Sequence, residues 1–196
     1  MCGVKPILFT TEMVRAILEG RKTVTRRVVK PQPPGGVDGL HQIDGRGRWR
    51  SFGDDVWFEI PAPCQPGDIL WVRETWSQVY IRQKRYLYKA DADRGVGEGA
   101  NLPIRWHPSI HMPREAARIF LRVTDVSVER LQTMSHEDAE QEGCWCAMPI
   151  DKFAKVWEGT IKPADQDTCG WDANPWVWVI SFVRINKAEA IGRCAE

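Results

Sequence analysis

Pro175-Trp176-Val177-Trp178-Val179-Ile180-Ser181-Phe182-Val183-Arg184-Ile185 is apolar at almost every position and rich in β-branched and aromatic side chains. A run of this length with apolar groups at both odd and even positions predicts a strand covered on both faces, the centre of a sheet. Residues 117–128 alternate instead, with Ile119, Leu121 and Val123 on one face and Phe120, Arg122 and Thr124 on the other. Ile69-Leu70-Trp71-Val72 follows the turn chemistry of Pro61-Ala-Pro-Cys-Gln-Pro-Gly-Asp68, and 55–60 and 79–89 each read as a further strand. The β-branched stretch 21–29 is one more, until Pro31, Pro33 and Pro34 exclude regular pairing.

Helices punctuate these strands. Thr10-Thr11-Glu12 suits a helix start, Met13, Val14, Ile17 and Leu18 recur at helical spacing, and Gly20 stops the run. Ser135-His136-Glu137-Asp138 opens a second, short helix that ends at Gly143. A third, from about 149–151 to Gly159, carries Phe153, Val156 and Trp157 inward. Strands, short helices and long loops without a βαβ rhythm predict an α+β fold with a mainly antiparallel, barrel-like sheet. The Pro- and Gly-rich 30–49 reads as a surface excursion, and 91–101 as a loop.

The length of 196 residues fits one domain, 1–196, able to bury its own core without disulfides or metals. At 43% hydrophobic and 27% charged, the composition excludes a disordered chain. The net charge of +1, from 27 basic and 26 acidic residues, excludes a protein that coats duplex nucleic acid through bulk electrostatics, while leaving room for a small basic pocket. Six scattered Cys form no framework, the opening MCGVKPILFTTEM has no basic flank and long apolar run, and no segment is long enough to span a bilayer. The expectation is a soluble cytoplasmic protein with no membrane partner. Ten Trp can fill a core, line a cleft or stack on bases, and composition does not choose among these roles.

Gly20-Arg21-Lys22-Thr23-Val24-Thr25-Arg26-Arg27 concentrates four cations just past a helix stop. One reading is a solvated basic strand. The other is a Lys22 partly withdrawn from water, its pKa lowered, acting as a base toward the Thr25 hydroxyl. On a regular strand, positions three apart face opposite ways, so their convergence needs a bend, which Gly20 allows. Glu142 and Glu74 are the candidate proton donors, against readings as a solvated acid and as the partner of a nearby Arg. The irregular Pro103-Ile-Arg-Trp-His-Pro-Ser-Ile-His-Met-Pro-Arg114 is dense in groups that stack, donate hydrogen bonds or titrate. His107 and His111 flank Pro108 and share no helical face, and Cys144-Trp-Cys146 lacks a second pair at zinc spacing, so no metal site and no cofactor are expected.

The order Gly20-Arg-Lys-Thr-Val-Thr-Arg26, Pro66-Gly-Asp-Ile-Leu-Trp-Val-Arg-Glu74, Ala139-Glu-Gln-Glu142 and a terminal strand resembles an ASCH domain of the PUA-like superfamily. The whole chain, with Trp106-His-Pro-Ser-Ile-His-Met-Pro-Arg114 and Trp171-Asp-Ala-Asn-Pro-Trp-Val-Trp178, is similar to the larger ASCH proteins of tailed phages and prophages. The resemblance implies a PUA-like β-barrel flanked by short helices, with long insertions around 30–50 and 79–112. Small ASCH proteins with similar motifs are amidohydrolases that deacetylate N4-acetylcytidine. Carried over, their roles fall on Lys22 as base, Thr25 as nucleophile and Glu142 as acid. Arg26, Trp71 and Glu74 would hold the base. The competing expectation is a non-catalytic reader of RNA or a modified nucleoside through Arg105, Trp106, His107 and Arg114. A ribonuclease, metal-independent or metal-dependent, is a further one. Oligomeric state is left open.

Overall fold

The computed structural model describes residues 4–33, 39–44, 48–52, 59–81, 83–92 and 104–192. In chain order the elements begin with strand β1 (Val4–Leu8), helix α1 (Thr11–Leu18), β2 (Val24–Val28), β3 (Gly39–Asp44), β4 (Arg48–Phe52) and β5 (Glu59–Pro61). Next come β6 (Ile69–Arg73), β7 (Trp76–Ile81), β8 (Gln83–Tyr88), α2 (Lys89–Ala92) and the long β9 (Phe120–Arg130). The chain continues through α3 (His136–Gln141), α4 (Pro149–Glu158), α5 (Gln166–Cys169), β10 (Trp176–Ile185) and α6 (Lys187–Gly192). Among the described residues no helix is long and apolar enough to cross a membrane.

The chain forms two compact units, each assembled from separate stretches of sequence. The first comprises Met1–Gly20, Asp68–Arg122 and Arg184–Glu196. In it β1 runs parallel to β6, from Val4 opposite Ile69 to Leu8 opposite Arg73, and β6 pairs antiparallel with the start of β9. β7 and β8 form a hairpin with Trp76 opposite Tyr88. Ile69, Trp71, Ala117, Phe120 and Ala190 pack as one cluster, and Trp76, Met112 and Ala116 pack with Tyr86 and Tyr88 as another.

The second unit comprises Arg21–Gly67 and Val123–Val183. Here β10 lies between β9 and β2, as its two-sided apolar pattern predicts, with Ile180 opposite Thr25. β3, β4 and β5 make a separate antiparallel sheet. The core gathers Leu131, Met134, Ala139, Cys144, Phe153, Trp157 and Val177. α4 has Pro149 at its first turn, where the missing N–H costs nothing, Asp151 near its positive end and Lys155 near its negative end. Phe153 and Trp157, four apart, share its buried face, and the Trp157 indole donates to the Cys169 carbonyl at 2.9 Å.

The architecture is a mixed α+β fold with a mostly antiparallel sheet and short helices. Among the described residues the sheets are open, and the closed barrel expected from the sequence is not formed. β1 is an edge strand carrying Pro6, which has no N–H to offer a further strand. The single strand expected at 79–89 is the hairpin β7–β8, because period-two alternation continues unchanged through a reversal of direction. Within 30–49, read as an excursion, Gly39–Asp44 and the start of β4 pair with each other. Of the strand expected at 55–60 only Glu59 and Ile60 are seen, in β5, and 53–58 lies outside the described residues, as does most of the loop at 91–101.

Leu131 is fully buried at the centre of the second unit's core, whereas Lys155 on α4 is exposed. Leu131→Ala is expected to cost about 2–5 kcal/mol in urea unfolding. Lys155→Ala should stay within about 0.5 kcal/mol of wild type.

Candidate functional site

Lys22 is among the most deeply buried side chains of the protein. It follows the end of α1, where Gly20 adopts φ of 76°, a left-handed conformation that a side chain would strain. The segment is tied on both sides: Thr23 N donates to Gln141 O at 2.9 Å, and Phe182 N donates to Thr23 O at 2.9 Å. The Lys22 side chain folds back, so that Nζ donates to the Val24 carbonyl at 2.8 Å and the Glu142 carbonyl at 3.0 Å. Its third partner is Glu142 Oε2, in a short ion pair. An ammonium has three protons, and these acceptors take all three.

Glu142 reaches this position as the C-cap of α3, directly after Gln141. Ser135 and Asp138 close a capping box at the start of that helix, and Gly143, with φ of 96°, ends it. The other carboxylate oxygen, Oε1, lies 3.5 Å from Arg26 Nη1. Arg26, on β2, has a fully buried guanidinium that also meets Glu129 Oε1 at 2.8 Å through Nε and 2.7 Å through Nη2, and Asp138 Oδ1 at 3.4 Å. Burial pulls the Lys22 amine below its ordinary range, with the Glu142 carboxylate working in the opposite direction and the like charge of Arg27 adding to the fall. For Arg26 burial also disfavours the charge, but Glu142 and Glu129 outweigh it and hold the guanidinium above its usual value. Burial raises the pKa of the neighbouring Cys144 thiol.

Thr25 is buried on β2, and its peptide nitrogen is bonded to the carbonyl carbon whose oxygen accepts from Lys22 Nζ. The Lys22 amine thus reaches the peptide group on the N-terminal side of Thr25. Glu142 meets both Lys22 and Arg26, and Thr25 lies beside Arg26 in the chain.

Glu74 belongs to the first unit and has its own partner. Both its carboxylate oxygens accept from Arg118, at 2.8 and 2.9 Å, and Arg118 also donates to Asp91 at 2.5 and 3.2 Å. The guanidinium lies 3.9 Å from the centre of the Tyr88 ring. Burial raises the Glu74 carboxyl against the pull of Arg118, and burial pushes the Tyr88 phenol up to about 12. Trp71 packs in the core of the same unit with Arg73 5.4 Å from its ring centre. His107 forms a backbone bridge to Trp76 and tilts its ring beside the indole at 5.1 Å. Arg105 and Arg114 are exposed and Trp106 is half-buried.

Glu129, Asp138, Asp91 and Arg118 are the participants that sequence reading missed. Asp138 was legible only as a helix-capping acid, and nothing in the spacing of Glu74 and Arg118, 44 residues apart, marks them as a pair. Among the described residues no three His, Cys, Asp or Glu side chains gather as a metal cluster.

No family model and no curated protein matches the chain. Among solved structures it is similar to protein EF3133 of Enterococcus faecalis V583, described by the family model DUF984, with 10% identity and a TM-score of 0.43 over 95% of this chain and 81% of that one. A likeness this slight carries no inference about activity.

Removing one member of a buried ion pair strands the other charge. Lys22→Met and Glu142→Gln are each expected to cost about 3–5 kcal/mol in denaturant unfolding, and Lys22→Met/Glu142→Met less than the sum of its parts. Between the depressed folded pKa of Lys22 and its ordinary value of 10.5, the unfolded chain binds more protons at this residue. Wild-type stability relative to Lys22→Met should therefore rise with pH across that window, and a flat difference would contradict the burial effect.

Proposed function

We propose that Lys22, Thr25 and Glu142 form an amide-hydrolysing centre that removes the acetyl group from N4-acetylcytidine, in a PUA-like protein of the ASCH type. The supporting observation is the buried Lys22 amine, lowered in pKa, in short contact with a carboxylate and folded against the peptide that precedes Thr25. A buried amine whose pKa is lowered gives up its proton more readily than a solvated lysine, and so serves better as a base.

The proton balance runs through the pair. Neutral Lys22 takes the Thr25 hydroxyl proton as Oγ1 bonds to the acetyl carbon. Lys22 passes that proton to Glu142 Oε2, and Glu142 delivers it to the cytosine nitrogen as the C–N bond breaks. Water then attacks the threonyl ester, giving one proton to Lys22. The C–Oγ1 bond breaks, Thr25 regains its proton from the pair, and acetic acid leaves, losing its remaining proton to solvent. The sum is water plus N4-acetylcytidine giving cytidine plus acetate and one proton. Arg26, with its guanidinium turned to Glu129, Asp138 and Glu142, serves in this scheme as the support of the carboxylate.

A second reading, recognition of RNA or a modified nucleoside without chemistry, is favoured by the exposure of Arg105 and Arg114. Incubation with N4-acetylcytidine separates the two. Cytidine and acetate should appear in equal amounts, and Lys22→Ala and Thr25→Val should each slow turnover by about 10²–10⁴-fold. kcat/KM should rise with pH and level off below 10.5, the ordinary value of a lysine amine. No turnover by wild type, or full turnover by Lys22→Ala, would overturn the reading.

A further inference from the structure

The first unit carries a cleft of about 400 Å³ lined by Arg114, Glu115, Phe120, Lys187 and Ala190. That volume lies within the range of small-ligand sites. Two cations line it from different elements: Arg114 comes from the short turn before β9, and Lys187 opens α6. Neither makes a hydrogen bond or ion pair through its side chain with another described residue.

The acids nearby are already engaged. Glu115 accepts a short hydrogen bond from the Tyr86 hydroxyl, and Glu189, on α6, accepts from Arg122 at 2.7 Å. The cleft thus presents two cations without side-chain partners among the described residues and one carboxylate, Glu115, held aside by Tyr86, above an apolar floor, because Phe120 and Ala190 are members of the packed cluster with Ile69, Trp71 and Ala117.

The walls are held before any ligand arrives. Tyr88 donates to the Ala116 carbonyl at 2.7 Å, and Ala117 N donates to Arg114 O at 3.0 Å, which pins the turn that carries Arg114. On the opposite wall Asn186 caps α6 by accepting from Glu189 N at 2.8 Å, and Ala190 anchors the helix in the core. Fixed walls with free cationic ends lower the ordering cost of binding. Elsewhere in this unit Lys5, Arg118 and Arg122 are neutralised by Asp68, by Glu74 with Asp91, and by Glu189.

We propose that this cleft binds a phosphate monoester of about mononucleotide size, its dianionic phosphate held by Arg114 and Lys187 and its organic part resting against the Phe120 floor. Arginine offers a planar fork suited to two phosphate oxygens, and lysine adds a mobile point charge. A carboxylate offers two oxygens in one plane, whereas a phosphate offers three, enough for the arginine fork and the lysine together. The assignment does not depend on the amide chemistry proposed for Lys22, Thr25 and Glu142.

Titration calorimetry on the full chain with 5′-cytidine monophosphate, cytidine and inorganic phosphate tests it. The nucleotide should bind more tightly than cytidine by about tenfold or more, and more tightly than inorganic phosphate. R114Q and K187Q should each weaken nucleotide binding by about tenfold, and the paired variant should leave it near the level of cytidine. R85Q, which removes an exposed cation from the hairpin β7–β8, should bind as wild type does. Absence of nucleotide binding, equal binding of nucleotide and cytidine, an unchanged affinity in the paired variant, or an equal loss in R85Q would each overturn the assignment. Inorganic phosphate binding as tightly as the nucleotide would remove the Phe120 floor from the site.

Discussion

A lysine amine withdrawn from water must find an acceptor for every proton it keeps, and in this protein the acceptors of Lys22 come from its near neighbour Val24 and from Glu142, 120 residues further along the chain than Lys22 itself. Leaving a charge of this kind unpaired in the interior costs several kcal/mol, a large share of the stability of a typical domain. The requirement fixes where α3 has to stop. Its capping box sets the start, Gly143 sets the end, and Glu142 is left at the last turn with both a carbonyl and a carboxylate turned to Nζ. Arg26 then holds the second carboxylate oxygen and reaches Glu129 on β9 and Asp138 on α3, so one polar cluster pins strand, helix and strand of the second unit.

The first unit solves a similar problem with a different cation. Glu74 is as deeply buried as Lys22, and Arg118 answers it with two parallel hydrogen bonds while also holding Asp91. The chemical consequence differs. A guanidinium does not give up its proton under any ordinary condition, so Arg118 remains a cation and clamps Glu74 and Asp91. An amine gives up its proton more readily when burial lowers its pKa, which is why the proposed function rests on the Lys22–Glu142 contact. The two buried ionic clusters therefore differ in the cation chosen, lysine in one and arginine in the other.

Tryptophan shows how composition divides between packing and recognition. Trp71, Trp76, Trp157, Trp176 and Trp178 are all buried, and Trp157 and Trp71 sit within the clusters that define the two cores. Trp145, on the loop after Glu142, is mostly exposed, and Trp106 is half-buried. An indole satisfies burial with area and one hydrogen bond, so a high count of Trp follows from building two cores as readily as from stacking on bases.

Much of the fold is legible in the chain because local period and caps are local physics. The two-sided apolar run at 175–185 is the internal strand β10, Thr10 caps α1 by accepting from Met13 N, and Ser135 with Asp138 opens α3. The reversal inside 79–89 escaped because alternation is the same before and after a turn. Of the candidate site, residue type and spacing brought forward Lys22, Thr25 and Glu142, the resemblance added Arg26, and neither pointed to Glu129 or Asp138 as its partners. That Arg26 faces Glu129 and Asp138, that Glu74 meets Arg118, and that Arg114 and Lys187 line one cleft were decided by tertiary structure alone. Contacts spanning dozens of residues leave no periodic trace, since the energy that selects them arises only once the groups have lost their water together.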